Sequence, residues 1–475
     1  MIRKLIAKYF GYPIQNFRKK TRIPITQKFL QESQYWNEAQ MYNYRLSKLQ
    51  QLVRFSYKHV PYYTELFDRY NISPDLIKKL DDIKRIPILT KELARLNHNK
   101  LVSDTANFKY IHKGKTGGTT GVPLLVYSDA ENRSFSWASF FRWYNWIGIE
   151  KEDRVLTLWG AHTVLKSSVR DKIVENVIDW IQNKKTINTF NIHDETLPGI
   201  YNQMIKYNPV LIKGYLSALI LIAKYMQQNN LPPNKSLIAL SSTTETLLPM
   251  YRNLLQEVFK VPVYDQYGCG EITSIAFECS KHQGLHINEE HVYIESLDEK
   301  DSEIINDKAR LIVTSLDNYV MPFIRYEIGD MATIQSEKCT CGINSLIMKT
   351  IDGRTMDLIS LKNGSKVNGL FFTRLLGDVE ISTDMISRFQ IYQYKSGAID
   401  FILETKNIIP ENLLHKLEYE TLRFINTVKI ILVDYIPNEP TGKFKYIKSE
   451  SNYTKNGINF RKIITLEKWE IMNNY

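Results

Sequence analysis

No uninterrupted apolar run in this sequence reaches the roughly 18 to 20 residues that a membrane-crossing helix needs, even around Leu216–Met226. The opening has neither the long apolar core nor the small-residue cleavage site of a secretory leader. Fixed-period repeats and low-complexity tracts are missing, which excludes a solenoid or a disordered chain. Four cysteines in 475 residues are too few for a disulfide scaffold. What these absences leave is a cytoplasmic globular protein, and 43% apolar with 24% charged residues fits that class. At roughly 150 residues per domain, the length corresponds to about three units.

Acid is missing from one place in particular. The first 22 residues hold seven Lys/Arg and no Asp or Glu, so of the formal charge of +11 only +4 belongs to the rest of the chain (11 − 7). Charge so localised does not point to nucleic acid, and the 29 tyrosines suit any amphipathic surface. Ile2, Leu5, Ile6, Tyr9 and Phe10 recur at helical spacing beside Lys4 and Lys8. This pattern has two readings: a helix packed by its apolar side onto the main body, or peripheral contact with an anionic membrane at its inner face.

Beyond this basic segment (residues 1–26), apolar residues at three- and four-residue steps predict a helical opening over 27–98. Short apolar runs then alternate with amphipathic stretches: RVLTLWG, KIVENVIDWIQ, PVLIKGY, SALILIAKYMQQ. That alternation predicts an α/β fold, with ligand loops at the carboxyl ends of the strands. The pattern turns β-rich from Ala309 towards Thr350. Placing a boundary near Gly353 gives a large unit over 27–352 and a smaller α+β unit over 353–475.

Five short motifs follow one another. KTGGTTGVP (Lys115–Pro123) has glycines that admit close backbone approach and hydroxyls that can surround a polyphosphate. YGCGE (Tyr267–Glu271) sets an aromatic plane, close backbone and one carboxylate together, which suits adenine and magnesium. IRYEIGD ends on Asp330, a potential acceptor for ribose hydroxyls, and IDGRTMDLI reads as a short linker opening into a hairpin. PTGKFK presents Lys443 near the chain end, with Lys445 as its near neighbour. Each motif alone is equally an ordinary turn or a solvated charge.

Taken in this order, the five resemble the adenylate-forming superfamily of acyl-CoA synthetases, amino-acid adenylation domains and luciferases. The TGGTTG form, HVPYYTELF, RIPILTK and the stretch from Asn188 to Met226 are similar to the capsular-polysaccharide group of phenylacetate-CoA ligase-like proteins. The resemblance implies a large AMP-binding domain with a small mobile C-terminal domain, and activation of a carboxylic acid by ATP to an acyl-adenylate with pyrophosphate release. It implies that Thr116, Gly117, Gly118, Thr119, Thr120 and Gly121 hold phosphates and that Tyr267 and Gly268 border adenine. Glu271 would bind Mg2+, Asp330 the ribose, and Arg354 would steady the nucleotide. Lys443 would neutralise charge developing as the carboxylate attacks the α-phosphate.

Two positions depart from the pattern: Leu124 stands where many relatives have a lysine, and Met356 where they carry a polar hinge residue. The acceptor is therefore open among CoA, a carrier-protein thiol, and a sugar or amine in surface-polysaccharide synthesis. An aryl-CoA ligase of phenylacetate type is one alternative, and a non-catalytic scaffold of polysaccharide assembly is another.

Cys279 and His286, seven residues apart, and the CxCG knuckle of Cys339 and Cys341 form a Cys3His set suited to structural zinc, with His282 as an alternative fourth ligand. The competing reading is three reduced cysteines beside an incidental histidine. Trp159 and His162 follow a predicted strand and are candidates for the acyl pocket. His112 and His193 are read as structural, because a carboxylate already ionised at neutral pH needs no general base.

Overall fold

The computed structural model describes residues 2–115, 124–159, 176–189, 192, 195–354, 359–364, 366–367, 369–381, 385–405, 407–438, 444–449 and 460–464, with backbone alone at 115, 352–354, 366, 369–370, 373–374 and 460–464. The chain opens with α1 (Ile2–Ile6), a wide π turn (Ala7–Gly11), α2 (Tyr12–Lys19), α3 (Ile23–Ser33), α4 (Glu38–His59), α5 (Pro61–Tyr70) and, further on, α6 (Lys91–Leu96). Asn37 and Gln40 cap the start of α4 reciprocally, satisfying two orphan donors. Pro61 sits at the first position of α5, where its missing N–H costs nothing.

A hairpin of β1 (His112–Lys115) and β2 (Leu125–Ser128) leads into α7 (Ala130–Trp146). Then come β3 (Val155–Trp159), β4 (Lys184–Asn188), β5 (Leu211–Tyr215), β6 (Ala239–Thr243) and β7 (Val263–Tyr267). These five pair in parallel in the order β4-β3-β5-β6-β7, joined by helices such as Leu216–Gln228 and Pro249–Phe259. Burial on both faces explains why β5 and β6 read as nearly unbroken apolar or small residues. Gly214 is required where β5 meets β3, since a Cβ there would lie 2.6 Å from that of Leu158.

Past β7 the same sheet turns antiparallel through β8 (Ala276–Glu278), β9 (Leu285–Ile287), β10 (Val292–Leu297), β11 (Lys308–Ser315), β12 (Tyr326–Gln335) and β13 (Ile347–Arg354). The result is one eleven-stranded mixed sheet in the order β10-β11-β12-β13-β9-β8-β7-β6-β5-β3-β4. The IDGR segment, expected as a linker, is the end of β13, with Gly353 opposite Met331 and Arg354 opposite Asp330. Beyond it lie the short hairpin β14 (Ile359–Ser360) and β15 (Lys366–Val367), then a second sheet of β16 (Arg388–Gln393), β17 (Ile399–Glu404), β18 (Val428–Val433), β19 (Ile447–Ser449) and β20 (Phe460–Ile464). Arg388 is fully buried in this smaller unit, held by Glu404 at 2.8 Å, Asn438 at 2.7 Å and the Ile436 carbonyl at 2.8 Å.

The two sheets share one apolar cluster, to which Tyr251 and Leu219 contribute from one side and Phe389 and Tyr446 from the other. The amino-terminal helix corrects an expectation. Its docked side is made of Ala7, Gly11 and Tyr12, and a Cβ at Gly11 would come within 2.9 Å of Ile181. Most of its bulky apolar residues face outward, because the close approach at Gly11 admits only a small residue. No helix among the described residues is long and apolar enough to cross a membrane.

Candidate active site

Strand β7 ends at Tyr267, and the chain reverses at once: Ile275 N–H returns to the Tyr267 carbonyl at 3.0 Å and Cys269 N–H to that of Ile272 at 2.8 Å. Gly268 is enclosed by this turn, since a Cβ there would stand 2.9 Å from the Ser274 nitrogen. Glu271 is thereby turned inward. Tyr326 donates its hydroxyl to Glu271 Oε1 at 2.8 Å, and Lys91 Nζ lies 2.9 Å from the same oxygen. Burial opposes ionisation, but the Lys91 charge and the hydrogen bonds from Lys91 and Tyr326 prevail and hold Glu271 below the usual carboxylate range.

The sheet supplies the other groups. Asp330 lies on β12, where the Tyr267 hydroxyl donates to its Oδ2 at 2.7 Å. Its ladder partner on β13 is Arg354. Tyr267, Glu271 and Asp330 thus form one buried group at the carboxyl end of β7, with Arg354 opposite in register. Lys91 reaches it through a short-range device: Leu89 N–H donates to the Arg325 carbonyl at 2.9 Å and Glu327 N–H to the Leu89 carbonyl at 3.0 Å. This stitches RIPILTK to β12. Arg325 is pinned in turn by Glu295, at 3.0 and 2.9 Å, and by the Ile86 carbonyl at 2.7 Å.

Lys91 and Tyr326 lie within stretches quoted for the resemblance, but no spacing rule points to either. Glu245 was likewise missed. At the carboxyl end of β6 it accepts from Ser217 N–H at 2.7 Å, from the Ser217 hydroxyl at 2.9 Å, and from Phe444 N–H at 3.0 Å. Phe444 belongs to the smaller unit, so Glu245 ties Phe444 to the strand ends of the large sheet. Lys443 lies outside the described residues, as do Thr116–Gly121, His162, His193 and Met356. Trp159 ends β3 and packs on Tyr215 with ring centres 4.6 Å apart, also at strand carboxyl ends. Leu124 is buried, so this position offers no charge to a phosphate. His112 is pushed down to about 4 by burial, then by the charges of Arg133 and Lys19.

On the far side of β8 the second candidate site assembles. Cys279 follows β8, His286 sits in β9, and Cys339 and Cys341 belong to the loop before β13; one ligand atom from each falls within 4.8 Å of the others. Cys279 Sγ is 3.6 Å from Cys339 Sγ and Cys341 Sγ is 3.3 Å from His286 Nε2. Tetrahedral zinc at about 2.3 Å from sulfur and about 2.05 Å from nitrogen requires edges of about 3.8 and 3.6 Å, so the donors fit the ion. Ser345 Oγ engages His286 Nδ1 at 2.9 Å, fixing the ring with Nε2 towards the sulfurs. Burial pushes the Cys279 thiol up to about 12 and His286 down to about 4. His282 is not a member: its Nδ1 lies 3.1 Å from Glu278 and its ring stacks on Tyr264.

No family model matches the chain. It is 25% identical over 409 residues to protein CapK of Staphylococcus aureus, covering 84% of this chain and 87% of that protein. It is 24% identical to a phenylacetate-coenzyme A ligase of Thermus thermophilus, with 74% and 78% covered. Its fold matches a 2-hydroxyisobutyryl-CoA ligase in the postadenylation state with a TM-score of 0.73 at 16% identity, covering 88% of this chain and 92% of that one. Against the same ligase in the thioesterification state the TM-score is 0.58. With the mixed eleven-stranded sheet and the smaller sheet docked on it, the chain has the fold of an acid-activating CoA ligase, and along most of its length it is similar in sequence to CapK and the phenylacetate-coenzyme A ligases.

Proposed function

We propose that this protein activates a carboxylic acid with ATP and passes the acyl group to a thiol, with CoA as the first candidate. The observation that carries this reading is the buried, ionised Glu271 held 2.9 Å from Lys91, in one group with Tyr267 and Asp330. A carboxylate oxygen of the acid would attack the α-phosphorus of ATP. The new oxygen–phosphorus bond gives the acyl-adenylate as the α–β bridge breaks and pyrophosphate leaves. The thiol sulfur would then attack the acyl carbon, AMP would depart, and the thiol proton would pass to solvent.

Each group has a role fitted to its surroundings. Asp330, oriented by Tyr267, would accept from ribose hydroxyls, and Arg354 opposite it in the ladder would steady the nucleotide. Glu271 is the oxygen donor suited to Mg2+, which would neutralise phosphate charge when bound. Lys91 and Tyr326 keep that carboxylate ionised and aimed. Thr116–Gly121 would hold the phosphates and Lys443 the developing negative charge, while Trp159 and His162 would border the acid. Such chemistry depends on positioning and electrostatics more than on covalent help.

The Cys3His cluster would hold zinc in a closed structural site, clamping the loop before β13 to β8 and β9. ATP and CoA are cytoplasmic pools, which places the reaction there. A sugar or amine acceptor in surface-polysaccharide synthesis is the second reading, favoured by the likeness to CapK and the resemblance over Asn188–Met226. Leu124 removes one phosphate contact without disturbing the Glu271 group, so the scaffold reading is disfavoured.

Mass spectrometry of reactions with ATP, Mg2+ and a panel of aromatic, fatty, hydroxy and amino acids, with and without CoA, tests this reading. Acyl-AMP for one acid class, converted to a thioester when CoA is added, is the expected result. Acyl-AMP that CoA leaves untouched would move the acceptor to a sugar or amine, and no acyl-AMP from any acid would contradict the proposal.

A further inference from the structure

The first helix presents an apolar stripe that the other described residues do not cover. Phe17 is 87% exposed, Ile2 73%, Tyr9 62% and Phe10 61%, with Leu5 and Ile14 close to half exposed. Soluble surfaces seldom show so many large apolar side chains together. The opposite side is fastened to the body: Lys4 pairs with Asp153 at 2.8 Å and Glu150 at 3.1 Å, Tyr12 hydrogen-bonds the Lys151 carbonyl, and Gln182 bonds Gln15. The stripe is therefore held outward by a fixed dock.

The π turn over Ala7–Gly11 keeps the stripe aligned. On a uniform helix of about 100° per residue, Ile2, Leu5, Tyr9, Phe10, Ile14 and Phe17 would spread over about half the circumference. The wider turn advances less per residue and brings the two α segments back into phase, gathering the six into about a third of it. Trp180 continues the surface. It is half exposed beside α1, with the Arg3 guanidinium 5.1 Å over its ring.

The charges of this segment carry one sign. Lys8, Arg18, Lys19 and Arg22 are exposed, and the first 22 residues contain no acid. A second copy of the chain would bring the same cations against these, a like-charge juxtaposition that opposes self-association. An anionic lipid surface complements both parts: acyl chains for the stripe, headgroup phosphates for the cations, and the interface for Tyr9 and Trp180. We propose that Ile2–Lys19 lies in the plane of an anionic membrane with its apolar stripe inserted, holding the protein at the bilayer surface. This inference is independent of the acid-activation reading.

The test is sedimentation of the full chain with vesicles of phosphatidylcholine alone or with roughly a third phosphatidylglycerol. Binding to the anionic vesicles, weakened by added salt, is expected. Phe10→Ser with Phe17→Ser should lower the partition coefficient at least roughly tenfold, and Arg18→Gln with Lys19→Gln should lower it less and flatten its salt dependence. All these side chains are exposed, so melting temperature should stay unchanged in both variants, which separates lost binding from lost folding. Absence of vesicle binding by the unaltered chain, equal binding by the phenylalanine variant, or a dimer abolished by that variant without lipid binding would each overturn the proposal.

Discussion

Replacing Lys91 by methionine keeps most of its volume and removes the cation that faces Glu271. The carboxylate would then be buried with the Tyr326 hydroxyl and its own backbone N–H as donors among the described residues. Hydrogen bonds to charged groups contribute about 1.5–3 kcal/mol, and breaking a fully buried pair costs about 3–5 kcal/mol. Lys91 retains a quarter of its side-chain exposure, which screens the pair and lowers the expected loss to about 1–2 kcal/mol. The sign of the pH dependence follows from Glu271 being held below its ordinary value. Its stabilisation is present above the unfolded carboxylate pKa and is lost as pH falls through the folded one. Lys91→Met should therefore melt a few degrees lower than the unaltered protein at pH 7.5, and the gap should narrow as pH falls towards 4.

A double-mutant cycle isolates the pair. Glu271→Gln retains the shape without the charge, so Lys91→Met should cost little in the E271Q background. Equal losses in both backgrounds, or a melting difference indifferent to pH, would show that the ion pair does not hold this corner of the site.

Other expectations follow from separate parts of the molecule. Purified protein should contain about one zinc per chain by elemental mass spectrometry, and Cys341→Ser or His286→Ala should lose the metal and melt lower; unaltered metal content in both variants would exclude the cluster. Lys184 is pushed down to about 7 by burial and then by the Lys213 charge, against the pull of Asp179. Its folded pKa lies below the unfolded value of 10.5, so its penalty is full below pH 7 and fades as pH rises towards 10.5. Lys184→Met should accordingly raise the melting temperature most near pH 6.5 and least near pH 10. Glu245→Ala removes the acceptor shared by Ser217 and Phe444, so both backbone amides should exchange with deuterium faster.

The α/β class was legible because the parallel strands from Val155 to Tyr267 alternate with helices, and each type leaves its own period in the sequence. The Cys3His cluster was legible for a different reason: such side chains are few and chemically distinctive, and each of its two pairs is close in sequence. Lys91 and Glu271 stand 180 residues apart (271 − 91), and what joins them is backbone pairing of Leu89 with β12, which leaves no mark on composition. Glu245 was hidden likewise, since its partners are backbone groups that every residue carries. His282 was a plausible ligand by spacing, but Glu278 and Tyr264 claim it. The outward stripe of the first helix was half visible. Periodicity showed an amphipathic helix, but which side docks depended on Ala7 and Gly11 fitting against Ile181 and on a π turn that no period announces.

Carboxylate-dependent exchange of labelled pyrophosphate into ATP, run across the acid panel with Lys443→Ala and Glu271→Gln alongside, addresses acid activation without assuming any acceptor. Exchange supported by one class of acid and lost in both variants is the predicted result. Folded protein that binds ATP yet exchanges with none of the acids, or variants that exchange as well as the unaltered chain, would contradict it.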